Sequence, residues 1–443
     1  MQPLVIIGNG ISGVTLALEV RKQSDLEIVV ISSESPHFYS RPALMYIFMG
    51  HLGFDQTKPY EDWFWQKNRI QLVYDHVDAV DIANQSLLMR RGQPLKYGQL
   101  VIACGAKSNF FGWPGQDLQG VQGLYGLEDL KKLETLMPSV QNAVIVGGGL
   151  IGVELAEMLL SRRKSVTFLV RENHYWGNVL PREEAELVGR EIVQHGVDLR
   201  FNQQLASIEG DGKGCVQAIH TQSGERIPCQ FVGITTGVSP NIGFLKDSGI
   251  DLARGVLVNA FFETNVPHVF AIGDCAEFRD KQDGPQVEQL WYTGKLQAEQ
   301  LAANLTGQKK TYQRGIWFNS AKFFDIEYHT YGRVSAFPQT DEIHFYWEHP
   351  DGRKSLRLVG RKNDRVLVGM NAFGIRYRHR VFEHWIQAGL TLEQTMAQLL
   401  DANFDPEFFK RYEPQMVEAF NRAFPEHPVQ LRRKTRWWPR KGA

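Results

Sequence analysis

Cysteine is scarce in this chain. There are four in 443 residues, Cys104, Cys215, Cys229 and Cys275, and no two are spaced as C-x-x-C or C-x-x-x-x-C. That excludes a disulfide framework and a redox-active disulfide between near neighbours in sequence, and points to a reduced, cytoplasmic protein. Net charge is lacking as well: 49 Lys and Arg offset 49 Asp and Glu. The whole molecule therefore has no bias toward nucleic acid or a membrane surface. No apolar run approaches the ~20 residues that span a bilayer, and the chain starts almost directly on a strand-like run, so no cleavable signal is expected. Its apolar fraction, 43%, is ordinary for a soluble globular protein, and its length suffices for two or three domains. No internal repeat is present beyond a pair of glycine-rich turns.

The first of these turns organises the rest. Leu4-Val5-Ile6-Ile7 reads as a buried strand, Gly8-Asn9-Gly10-Ile11-Ser12-Gly13 as a turn opening a helix. In such a strand–turn–helix unit Gly8 permits a sharp turn, Gly10 admits a pyrophosphate to the backbone, and Gly13 lets the helix pack closely. Free N–H groups and the partial positive charge of the helix start then face the phosphates. The second unit is Ala143-Val144-Ile145-Val146 followed by Gly147, Gly149 and Gly152. Two such units predict two dinucleotide sites. Glu34 follows Gly13 by about 20 residues, at the end of the next strand-like run, where an acid can bind a ribose hydroxyl pair. In the second unit the strand Val166–Val170 ends without an acid, and Arg171 follows. An arginine suits a 2′-phosphate, which favours NADPH, while the adjacent Glu172 suits NADH.

Further along, the segments Phe38-Tyr39-Ser40-Arg41-Pro42-Ala43-Leu44, Leu100-Val101-Ile102-Ala103-Cys104-Gly105-Ala106, Gly149-Leu150-Ile151-Gly152-Val153-Glu154-Leu155-Ala156 and Ala271-Ile272-Gly273-Asp274-Cys275 fall in order. Together they resemble the FAD-dependent pyridine nucleotide-disulfide oxidoreductases, in particular the ferredoxin/rubredoxin reductase branch, which lacks a redox disulfide. The resemblance implies that Arg41 serves a cofactor phosphate or ring edge. It also implies that Ala103 and Gly105 let the backbone pass close to FAD. Asp274, delivered by a strand to the start of a helix, would accept a hydrogen bond from the FAD ribityl chain, with Gly273 permitting the approach. Glu154 would point to the meeting place of nicotinamide and flavin, and Gly237 would end a strand beside the nicotinamide. Trp291 opens a helix that abuts the flavin in relatives. Val77, at the start of a strand-like run, is counted with the cofactor-binding set. Tyr46 stands where many relatives carry a Lys, so it takes the second catalytic position beside Glu154. Cys104 replaces a usual Thr and reads as a structural thiol.

The implied fold is α/β, with two Rossmann-like dinucleotide-binding domains and a C-terminal α+β interface domain. The expected boundaries are 1–115 and 244–312 for the FAD domain, 116–243 for the NAD(P) domain inserted in it, and 313–443 for the interface domain. Strands are expected at 342–347, 355–359 and 366–370, and helices at 380–387, 392–400 and 413–424. The three histidines His329, His379 and His384 lie among these without acid or Cys at ligand spacing, so no metal site is predicted. The implied activity is an NAD(P)H oxidoreductase that passes hydride to FAD and electrons to a small carrier of ferredoxin or rubredoxin type. Two alternatives stay open: a small acceptor (oxygen, quinone or nitrite), and a slow flavin-bearing sensor or scaffold. An interface domain implies a homodimer. The basic aromatic tail, Leu431 to Lys441, is read as a solvated tail, a dock for an acidic carrier, or a membrane-surface contact.

Overall fold

The structure, a computed structural model, describes residues 2–280, 286–404 and 410–432. The residues of the tail beyond 432 lie outside these. Leu4–Ile7 is a strand because four aliphatic residues in a row can be buried on both faces, as only a central parallel strand is. It is flanked by Gln99–Ile102 on one side and Ile28–Ser32 on the other. Val269–Ala271 and Ile70–Tyr74 complete a five-stranded sheet, parallel throughout. The register sets Ile7 opposite both Ile31 and Ile102. The strands therefore end together, and the segments after them (the glycine turn, Ala103–Gly105 and Gly273–Asp274) converge at one edge. Helix Ile11–Gln23 packs on helix Trp291–Leu305. Small residues allow this: a Cβ on Gly294 or Gly273 would meet Ser12 Oγ at 2.5 Å.

The chain folds into two compact units. The first comprises 1–147, 158–165 and 205–313, the second 148–157, 166–204 and 314–443. Besides the sheet above, the first unit contains parallel pairing of Asn142–Val146 with Phe231–Ile234 and of that strand with Val121–Gln122. The glycine-rich run 210–214 is the tip of a hairpin, as its composition predicts. Trp65 is core, whereas its neighbour Trp63 is 60% exposed.

In the second unit, Ser165–Val170 pairs in parallel with Asp198–Phe201. An antiparallel sheet follows, in the order Phe318–Phe323, Ile326–Gly332, Leu367–Phe373, Ser355–Arg361, Glu342–Glu348. The strand expectations for the C-terminal region therefore hold to within a few residues. The helix expected at 392–400 is two: Leu392–Ala397 and Leu399–Ala402. Gln398 breaks it, because its N–H is shared between the Gln394 and Thr395 carbonyls and closes the first helix. One face of the sheet meets helix Arg182–Gln194 through ions. Arg357 reaches Glu184 at 3.0 Å and Glu183 at 2.8 Å, and Glu184 also accepts from Asn371. Arg357 and Glu184 are both buried, so each depends on the other to offset lost hydration.

Gly8 has φ +115°, and a Cβ there would lie 2.1 Å from the Ala103 carbonyl oxygen. Gly8→Ala is expected to lower unfolding free energy by at least ~3 kcal/mol in urea titrations; an unchanged midpoint would contradict the close approach.

Candidate dinucleotide-binding sites

The first site forms where the parallel strands end. A Cβ on Gly13 would meet the Gly8 carbonyl at 2.0 Å, so helix and turn touch through backbone alone. At Gly10 an added Cβ would meet nothing within 4 Å, which leaves this backbone open to a phosphate. The helix start supplies the unpaired N–H groups for it. Gly273 has φ +73°. Asp274 does not begin a helix as expected. It sits in a 3-10 turn, Gly273–Cys275, that runs into strand Ala276–Phe278, because this segment must extend to pair with Val256–Val258.

Glu34 and Arg41, singled out separately in the sequence, are one ion pair. Arg41 holds Glu34 through both guanidinium nitrogens, at 3.0 and 2.6 Å. Glu34 Oε1 also accepts from the Tyr39 hydroxyl and from the Leu127 N–H. Burial works against the charge, yet Arg41, Tyr39 and the Leu127 N–H together hold Glu34 below the usual carboxylate range. Its Oε2 accepts from Arg41 alone among the described residues, which leaves lone-pair capacity for a ribose hydroxyl.

Of the other members of the predicted set, Ala103 and Gly105 follow a strand that ends at this edge. The Ala103 carbonyl lies under Gly8. Gly105 has φ +69°. Gly237, φ +92°, accepts from the Asn109 N–H where Val238–Pro240 pairs with Ala106–Ser108. Val77 is buried at the start of strand Val77–Asp81, so its side chain is core. Tyr46 lies on the short helix Leu44–Phe48, its ring stacked on His51 at 6.0 Å. Trp291 opens its helix and is 40% exposed.

The second site repeats the turn. Gly147 has φ +115°, and a Cβ would lie 2.6 Å from the Thr235 carbonyl. Gly149 is open, as Gly10 is. Gly152 is buried in the first turn of helix Leu150–Ser161. The Tyr175 hydroxyl donates to the Gly149 carbonyl at 2.8 Å, and its ring meets Phe323 edge-on. Arg171 is exposed and bound by Glu172 at 2.7 Å, so a phosphate at this place must compete with that carboxylate. Burial pushes the Glu154 carboxyl up to about 7, and the charge of Glu157, one turn on, adds to the effect. Glu157 itself is paired with Lys322 at 2.8 Å.

Three features were missed in the sequence. Tyr125 bonds Asp274, and nothing in its local sequence marks it. Tyr175 supports the second glycine loop from a segment with no motif of its own. Cys104 and Cys275, far apart in sequence, lie beside each other, each thiol donating to backbone carbonyls, Cys104 to Asn241 and Cys275 to Ile102 and Ile272. The neighbouring Cys275 thiol and burial raise the Cys104 thiol well above its ordinary value, so it is a poor nucleophile. A separate cluster, Glu191, His195 and Asp325, has ligand-type atoms within 4.8 Å of one another. Arg353 bonds both acids there, at 2.8 and 3.2 Å, and takes the place a cation would need.

These features define a class: an α/β protein with two strand–turn–helix dinucleotide cradles. Residues 2–298 match the family described as pyridine nucleotide-disulphide oxidoreductase, and the chain belongs to that family. It is 31% identical over 310 residues to the biphenyl dioxygenase system ferredoxin–NAD(+) reductase component of Paraburkholderia xenovorans, covering 69% of this chain and 75% of that one. It is 28% identical over 377 residues to the assimilatory nitrate reductase electron transfer subunit of Bacillus subtilis, covering 84% of this chain and 48% of the relative. The chain thus spans about half the length of the latter. The solved structure of a NAD-dependent persulfide reductase from A. fulgidus shares the fold. Its TM-score is 0.83 at 22% identity, over 96% of this chain and 83% of that one.

The Glu154 environment makes a direct prediction. In infrared titration the wild type is expected to lose a carboxylic-acid band as pH rises, with a midpoint near pH 7, absent from Glu154→Gln and lowered in Glu157→Gln. A band lost only near pH 4.5 would overturn the assignment.

Proposed function

We propose that this chain is an FAD-dependent NAD(P)H oxidoreductase that hands electrons to a small carrier protein of ferredoxin or rubredoxin type. What carries the reading is the pair of backbone cradles. Each is closed by a carbonyl where its first glycine sits and open at the second, where a phosphate belongs. Family membership and the ferredoxin reductase relative support it. The cofactors supply the redox chemistry: hydride passes from NAD(P)H to FAD, and electrons leave one at a time.

The chain's own residues bind and orient. In this reading Gly8, Gly10 and Gly13 hold the FAD pyrophosphate, Glu34 its ribose and Asp274 its ribityl chain. The set Arg41, Val77, Ala103, Gly105, Gly273 and Trp291 shapes the pocket. Gly147, Gly149, Gly152, Arg171 and Gly237 hold the nicotinamide nucleotide. Glu154, whose carboxyl is raised toward neutrality and so gains and loses its proton there, and Tyr46 act where the rings meet. The domain scheme is 1–115 with 244–312 for FAD, 116–243 for NAD(P), and 313–443 for the interface domain of a homodimer. No helix among the described residues is long and apolar enough to cross a membrane, and a cytoplasmic location is part of the proposal. The Bacillus subtilis relative, itself named an electron transfer subunit, favours onward transfer over a dead-end flavin.

Anaerobic titration with NADPH and then NADH tests this. Rapid bleaching of the flavin bands by either, followed by reoxidation with an added ferredoxin or rubredoxin, is expected. A yellow protein that neither nucleotide bleaches would sink the reductase reading. Arg171 leans the preference to NADPH. Arg171→Ala should raise the KM for NADPH about tenfold, the ~1.5 kcal/mol of one charge-assisted hydrogen bond, and leave NADH unchanged. Equal effects on both would remove the preference.

A further inference from the structure

We propose that Tyr125 is a positioning residue of the FAD cradle, joining Asp274 to the Arg41–Glu34 pair as one preassembled network. The inference rests on the proposed FAD site. The Tyr125 hydroxyl accepts from the Ala106 N–H at 2.9 Å and donates to Asp274 Oδ2 at 3.2 Å. Its carbonyl accepts from Arg41 Nη1 at 2.7 Å, and the Arg41 guanidinium lies 4.6 Å from its ring centroid. The same Nη1 reaches Glu34 at 3.0 Å. One residue thus contacts two of the polar groups assigned to the cofactor and reaches the third through Arg41.

The backbone fixes this position. Asp129, on the first turn of helix Leu127–Leu136, accepts from both the Tyr125 and the Gly126 N–H groups, at 2.8 and 3.0 Å. Gly105 makes room: a Cβ there would lie 2.9 Å from the Tyr125 hydroxyl. The glycine at 105 is required by the phenol itself, whether or not cofactor is present.

The network acts on the Asp274 proton. Burial favours the neutral carboxyl, while the Tyr125 hydroxyl and the Arg41 charge favour the carboxylate. The free thiols of Cys104 and Cys275 also lie near it, and that of Cys104 is held in its neutral form. A carboxylate accepts hydroxyl hydrogen bonds more strongly than a carboxylic acid does. Without the phenol donor, Asp274 takes up its proton at higher pH and holds the ribityl chain less well.

The test is FAD release from the holoenzyme, followed by flavin fluorescence as pH is lowered. Tyr125→Phe keeps the ring and the carbonyl and removes only the hydroxyl. It is expected to weaken FAD binding about tenfold at pH 7 and to move the acid release midpoint to higher pH. Asp274→Asn cannot ionise, so in that background Tyr125→Phe should leave the release midpoint unmoved. An unshifted midpoint in Tyr125→Phe, with FAD held as in wild type, overturns the proposal. So does an equal shift in the Asp274→Asn background, which would mark a merely structural role. A wild-type chain that binds no FAD overturns the FAD reading, and this inference with it. Should Tyr125→Phe not fold, Gly105→Ala, which presses on the same hydroxyl, must shift the midpoint in the same direction; an unmoved midpoint there overturns it equally.

Discussion

Everything at the first site depends on a contact between two backbones. The Gly8 turn rests on the carbonyl of Ala103 so closely that no side chain can stand between them. Because the turn is held there, helix Ile11–Gln23 starts at a fixed point over the sheet, Gly13 touches Gly8, and Ser12 nests against Gly273 and Gly294. The second site repeats the solution with different residues, Gly147 against Thr235. In both, a strand one place away in the sheet supplies the carbonyl. The turn is thus positioned by a parallel neighbour distant in sequence rather than by its own loop.

Two glutamates show how one residue type acquires opposite character. Glu34 is half-buried but faces an arginine, a tyrosine and a backbone N–H, and stays charged. Glu154 is half-buried beside a second acid, Glu157, and holds its proton toward neutrality. The first suits a fixed acceptor for sugar hydroxyls, the second a group that exchanges protons. The difference lies in who faces each carboxyl.

The sequence made legible what is local. Glycine spacing after an apolar run marks both cradles, and alternating apolar residues mark the C-terminal strands. What it hid was pairing across distance. Glu34 and Arg41 each carried a recognisable context, yet their mutual ion pair depends on how the turn between them closes. Tyr125 has no motif, because its role comes from meeting Ala106 and Asp274 in space. Cys104 and Cys275 read as isolated thiols for the same reason. Asp274 was expected at the start of a helix, but strand pairing with Val256–Val258 takes precedence over the local signal. At Gln398, backbone hydrogen bonding ended a helix that side-chain periodicity would have continued.

The order of the central sheet bears on how the protein is made. Val269–Ala271 covers the edge of Gln99–Ile102, yet it leaves the ribosome long after that strand does. At about 5–20 residues per second, the wait is roughly ten to thirty seconds. Until Val269–Ala271 arrives, the backbone N–H and C=O groups along this side of Gln99–Ile102 lack the partners that the finished sheet gives them. The sheet that carries the first site is therefore closed along this side only after most of the chain has been made.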